Sequence, residues 1–190
     1  MKITGILLAA GSGSRFGGGK LVHPLADGTP MSVASFRNLK LALADVLVVV
    51  RPNEVRLREL LESEGAMVTI CAEAHLGMGH SFACGVAASR DADGWIIALA
   101  DMPFLQPATI RRIAASVQGT GGIALPAYRG DRGHPVGFGR RYRDELLELT
   151  GDAGARGVLT RHAPEVEAVD CDDPGILRDI DTRADLHSRP

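Results

Sequence analysis

A rhythm of short, unbroken apolar runs separated by helical patterns constrains this fold more than any other feature. Residues 3–10 (ITGILLAA), 46–50 (VLVVV), 67–71 (MVTIC) and 95–100 (WIIALA) read as strands. They do not alternate apolar with polar, so they are expected to be buried on both faces. Between them lie helical patterns. Residues 31–43 place Val33, Phe36, Leu39 and Leu43 at helical spacing, and 53–64 follow a cap-like Asn53 with Val55, Leu57, Leu60 and Leu61. Residues 81–89 form a helix of small side chains. Strands of this kind joined through helices imply an α/β fold: a Rossmann-like, three-layer α/β/α arrangement with a mostly parallel central sheet and right-handed crossovers.

The second half is less regular. A helix is expected over 108–117 after Pro107, strands over 123–126 and 135–138 around the polar turn AYRGDRG, and short helices over 143–149 and 156–162. A late strand (166–169) and the start of a terminal helix (183–186) follow. The 190 residues carry no internal repeat and no low-complexity linker, so one domain is expected over 1–190. A break near 101–107 divides it into a first half, 1–105, and a second, 106–190.

The formal net charge of −2 leaves no electrostatic footprint for nucleic acid or an anionic membrane. Cys71, Cys84 and Cys171 form no CxxC pair, so they read as reduced thiols rather than zinc ligands. The start lacks a signal-peptide pattern, and no run approaches a membrane span, so a cytoplasmic location is expected.

The first strand runs into AAGSGSRFGGGK. Two common phosphate-loop patterns fail on it. The dinucleotide pattern GxGxxG would begin at Gly11 and Gly13 but meets Phe16 at its third position, and the second strand ends in Val50-Arg51 without the expected acid. The Walker pattern aligned on Gly19-Lys20 needs glycine at Ser14 and a hydroxyl at Leu21. The residue types still suit a polyphosphate. Amides from Gly11 through Ser12 and Gly13 to Ser14 can form an anion-binding concavity, Arg15 can grip two oxygens as a fork, and Lys20 can act as a point charge. A surface turn with two solvated cations is the structural alternative.

A second motif, LADMPF, places Asp101 at the carboxyl end of a buried strand, where open α/β sheets bind ligands. A buried carboxylate needs a partner, and Mg²⁺ held by one or two carboxylates with phosphate oxygens is a natural one; a turn-forming Asp ahead of Pro103 is the alternative. In LGMGHSFACGV, Gly79, His80 and Ser81 offer donors near a helix start. In DIDTRADL, Asp181 or Asp179 is a candidate second carboxylate, although Thr182 with Asp185 also reads as a helix start. RGDRGHPVGF and GDAGARGVL bring further glycines and cations.

Together these motifs resemble the nucleotidyltransferase superfamily. The first loop, Leu8-Ala9-Ala10-Gly11 followed by Arg15, Gly17 and Lys20, is similar to its LAAGxxxRxGxxK element. The GHP and GDAGAR elements resemble the molybdenum cofactor cytidylyltransferases and their close relatives, over nearly the whole chain. This resemblance implies a nucleotidyltransferase fold with an NTP-binding first half and an acceptor-binding second half. It implies a catalytic set of Arg15, Lys20 and Asp101, with Mg²⁺ on Asp101 and Asp181. Leu8 to Ser14, Arg15, Lys20, Gly79, His80 and Ser81 would bind the nucleotide. Arg132, His134 and Arg156 would contact a molybdopterin-type acceptor, and Asp152 would hold the loop. Ala10 stands where related guanylyltransferases typically read LAGG, which leans toward CTP over GTP. His80, where many cytidylyltransferases carry Ser, pulls against that lean. A molybdoenzyme receiving the cofactor is a further implied partner. A sugar-phosphate nucleotidyltransferase and a non-catalytic molybdopterin-delivery protein are the competing readings.

Overall fold

The computed structural model describes residues 1–11 and 13–186. In chain order the strands are β1 (Ile3–Leu8), β2 (Asp45–Val50), β3 (Met67–Ile70), β4 (Gly94–Leu99), β5 (Ile123–Tyr128), β6 (Asp131–Arg132), β7 (Val136–Gly139) and β8 (Val166–Asp170). The α-helices are α1 (Met31–Ala42), α2 (Val55–Ser63), α3 (Met78–Ala88), α4 (Pro107–Thr120), α5 (Arg143–Leu147) and α6 (Arg156–Arg161). All eight strands belong to one sheet.

The first four strands are parallel in the order β3-β2-β1-β4, as the apolar runs predict. Next to β4 the sheet admits a reversed strand, β7, with the two-residue β6 running the same way, and beyond them β5 and β8 resume the parallel direction. β7 reads VGFG, and its glycines explain the placement. A Cβ on Gly137 would stand 2.6 Å from Val117 of α4, and one on Gly139 2.1 Å from the Gly121 carbonyl. The strand lies tight beneath α4 because it lacks those side chains.

The sheet divides the core. β1 and the two alanines after it send Ile3, Leu7 and Ala9 to one face, against α1, α2 and α4, and Ile6, Leu8 and Ala10 to the other, against α3, α5 and α6. A third, smaller cluster of Phe16, Met31 and Ile180 lies under the glycine loop and ties it to the end of the described chain.

Several boundaries differ from the sequence reading. β1 stops at Leu8, and the Ala9 amide donates to the Val49 carbonyl at 2.9 Å. Helix α2 follows Glu54 with no side-chain cap, so Asn53 is not its cap. Helix α3 starts at Met78, which places Gly79, His80 and Ser81 inside its first turn. The expected terminal helix is a single 3-10 turn, Arg183–Leu186, within the described residues.

β6 and β7 pair with the same edge of β5, and the register slips between them. Ala127 faces Arg132 while Ala124 faces Gly137, so three steps on β5 match five on the return strand. The extra length is a bulge at Gly133, His134 and Pro135. The His134 amide donates to the Ile176 carbonyl at 3.0 Å, which fixes the bulge against the neighbouring turn. Bulges of this kind re-aim side chains at sheet rims.

Candidate active site

The glycine loop sits at the carboxyl end of β1. Gly13, Gly17, Gly18 and Gly19 all have positive φ, the region that L side chains avoid. Phe16 points inward and is 3% exposed. Its ring meets the His23 ring edge-on at 5.1 Å, and the Arg183 guanidinium lies 5.5 Å from its centroid. The residue that breaks the dinucleotide pattern is thus the loop's anchor. Ser12 lies outside the described residues, and Gly11 and Ser14 are exposed. Arg51, at the end of β2, donates from Nε to the Ala10 carbonyl and braces the loop from below.

Lys20 is buried, and its Nζ donates to Asp101 Oδ2 at 2.8 Å and Asp181 Oδ1 at 3.1 Å. Burial works to lower the ammonium's pKa, but hydrogen bonds and charge from Asp101 and then Asp181 outweigh it and hold it above the ordinary range. Asp181 also pairs with the exposed Arg15 guanidinium. A backbone bond from Ile180 N to the Asp101 carbonyl, 3.0 Å, brings Asp181 beside Asp101. The Asp185 carboxylate then accepts from the amides of Asp181 and Thr182. The helix-start reading of this segment and the site reading therefore hold together. Asp179 is exposed; it is Asp181 that faces Lys20.

One oxygen of Asp101, Oδ1, is buried without a hydrogen-bond partner among the described residues. No group of three or more His, Cys, Asp or Glu side chains suited to a metal occurs among them. The pair Asp101 and Asp181 matches instead the sparse protein ligation of a cation that also takes phosphate oxygens.

A cavity of about 600 Å³ opens above this cluster, lined by Leu8, Ala10, Gly11, Gly13, Arg15, Lys20, Arg51, His75, Ser81, Asp101 and Asp152 among others. Ala9, Ser14, Gly79 and His80 do not line it. Ala9 is sealed in the core. Gly79 packs on the 150–155 loop, where its amide donates to the Gly151 carbonyl at 2.8 Å and a Cβ would stand 2.5 Å from the Thr150 carbonyl oxygen. His80 turns Nδ1 into the interior.

A second cavity, about 390 Å³, adjoins the first. Arg132, His134, Asp152 and Arg156 line it, over a floor that includes Phe82, Ile97, Leu125, Val136 and Leu159. All four residues assigned to an acceptor meet there. Leu8, Met78, Leu99 and Asp152 line both cavities, so the two share a wall. Burial lowers the His134 imidazole pKa against the charges of Asp101 and Asp179, which keeps the ring neutral at pH 7. Its Nδ1 has no partner among the described residues.

Arg51, His75 and Asp185 are the residues that motif reasoning did not assign. Arg51 follows a strand at the ligand-binding end of the sheet, and Asp185 belongs to the helix-start pattern with Thr182; His75 carried no signal.

The family model for a MobA-like NTP transferase domain matches residues 5–166. The nicotine blue oxidoreductase of Paenarthrobacter nicotinovorans is 31% identical over 95% of this chain and 92% of its own length. The purine catabolism protein PucB of Bacillus subtilis is 32% identical over the same shares. Among solved structures, Rv0371c of Mycobacterium tuberculosis is 29% identical with a TM-score of 0.81, covering 97% of this chain and 95% of that one. A second structure of Rv0371c is a complex with manganese, at TM-score 0.77, covering 97% and 96%. The chain belongs to the MobA-like NTP transferase domain family and is a nucleotidyltransferase of that type.

Proposed function

We propose that this chain transfers the nucleoside monophosphate of CTP to the terminal phosphate of a molybdopterin-type acceptor and releases pyrophosphate. The observation that carries the reading is the pair of adjoining cavities. One is lined by Arg15, Lys20 and Asp101, the other by Arg132, His134 and Arg156, with Asp152 common to both.

A divalent cation suits the residues present, because Asp101 Oδ1 is buried without a partner among the described residues and Asp181 lies across Lys20 from it. Asp101 and Asp181 would hold Mg²⁺ or Mn²⁺, which would neutralise charge on the reacting phosphates. The manganese complex of the related Rv0371c supports this. Lys20, Arg15 and the loop amides of Gly11 and Gly13 would bind the triphosphate, and Ser81 lines the same cavity. Ala10 favours CTP over GTP. Gly79 and His80 act here through packing of the α3 start. The first half of the chain would serve both substrates, since Leu8, Phe82, Ile97 and Leu99 also line the acceptor cavity.

Arg132 and Arg156 would bind acidic groups of the acceptor, and neutral His134 would hydrogen-bond to it. The acceptor phosphate is already ionised, so no protein base is needed. Attack in line on the α-phosphorus then depends on positioning and charge neutralisation. A cytoplasmic molybdoenzyme is the proposed recipient of the product.

Pyrophosphate release measured with each of the four NTPs, with and without reduced molybdopterin, and with Mg²⁺ or EDTA, tests this reading. Turnover is expected with CTP, acceptor and metal together. Preference for GTP or for a sugar phosphate would replace the proposed substrates, and no turnover with any combination would overturn catalysis.

A further inference from the structure

The Lys20 ammonium lies between two carboxylates that the preceding reading gives to a metal. It is 2.8 Å from Asp101 and 3.1 Å from Asp181, with a side chain 7% exposed. The Ile180–Asp101 backbone bond and the Asp185 turn hold the backbone that carries those carboxylates independently of the lysine. We propose that Lys20 is an internal counter-cation that a divalent metal displaces, so that metal and nucleotide load as a coupled pair. The inference rests on the metal reading of Asp101 and Asp181.

Space and charge both set ammonium against metal at this point. Mg²⁺ bound to both carboxylates would sit about 2 Å from their oxygens. That region is the one the ammonium fills, and two cations repel at such a distance. Once displaced, Lys20 cannot stay buried and unpaired without a large cost. Its stem runs beneath the glycine loop, and its Cβ would lie 3.1 Å from a Cβ on Gly13. The nearest place for a new anion is therefore the loop itself, where the triphosphate is proposed to bind. Metal entry frees Lys20 for the phosphates, and phosphate entry frees the carboxylates for the metal. Linkage makes the two effects equal.

Mn²⁺ binding to the nucleotide-free protein, followed by the electron paramagnetic resonance of the free ion, tests the latch. Lys20→Met is expected to tighten Mn²⁺ by about tenfold or more. Arg15→Met removes the same charge from the exposed partner of Asp181 and is expected to change affinity by less than about threefold. Equal tightening by both variants would reduce the effect to general charge and overturn the latch, as would equal affinity in all three proteins. No Mn²⁺ binding by any of them would overturn the metal reading and the latch with it. Thermal melts check that both variants fold. A measurement on unaltered protein stands beside them. The chain has three lysines, so Lys2 and Lys40 serve as internal references for acylation read by mass spectrometry. Mn²⁺ alone is expected to raise Lys20 acylation severalfold against these references; no change on saturation with Mn²⁺ would refute displacement.

Discussion

Replacing Phe16 with alanine should release the glycine loop without unfolding the sheet. Phe16, Met31 and Ile180 are all buried, but they form a cluster of their own, apart from the two faces of the main core. Truncating a buried Phe costs about 3–5 kcal/mol in a central core. Here Leu21 and Leu25 are only partly buried and can relax inward, so the lower value, about 3 kcal/mol, is expected. That is a factor of about 100 in the equilibrium between packed and opened loop. The opening should be local, because this cluster is separate from the two main core clusters and Leu21 is the partly buried side chain packed against both it and the main core. Hydrogen exchange read by mass spectrometry would detect it as lost protection over residues 14–31 and 176–186, with β1 and β4 unchanged. Nucleotide affinity should fall with it, since Lys20 and Asp181 are held on the two strands of chain that the cluster joins. Unchanged protection of both segments, or a uniform loss across the sheet, would refute the reasoning.

Gly79→Ala should separate α3 from the 150–155 loop, because its Cβ would meet the Thr150 carbonyl oxygen at 2.5 Å; urea unfolding is expected to show a loss of about 1–3 kcal/mol, with acceptor KM raised. Arg51→Met removes the donor from the Ala10 carbonyl and should weaken NTP binding about tenfold by titration calorimetry, with little change in acceptor KM. His162 donates hydrogen bonds to the carboxylates of Glu165 and Glu145, which raise its pKa in the folded protein. Its contribution is therefore full below the unfolded value of about 6.5 and lost as pH rises through the folded value. Melting temperatures of wild type and His162→Gln should converge above that window and differ below it.

The parallel core was legible because the runs of β1, β2 and β4 are apolar on both faces and buried on both; β3 does not meet that expectation, since as the edge strand it leaves Met67 and Ile70 exposed. The reversed strand was not legible, since VGFG owes its place to side chains it lacks and to the Val117 and Gly121 atoms above it. Arg15, Lys20, Asp101 and the acceptor-side residues were readable as motifs, but their meeting was not. Lys20 reaches Asp101 across 81 residues and Asp181 across 161, and the Ile180 backbone bond with the Asp185 turn places Asp181, not Asp179, beside them. Phe16 and Leu21, which argue against two loop types in the sequence, are packing residues in the fold, and a motif pattern has no place for that role.

The central claim is that the two adjoining cavities form one transfer site, with Asp152 on their shared wall and Asp101 in the first. Following the α-phosphorus of labelled CTP tests it most directly. Wild type should move the label onto molybdopterin in the presence of Mg²⁺, and Asp101→Asn should slow this transfer by about 100-fold or more while melting as a folded protein. Transfer at the wild-type rate by Asp101→Asn, or label that never leaves CTP in wild type, would contradict the account.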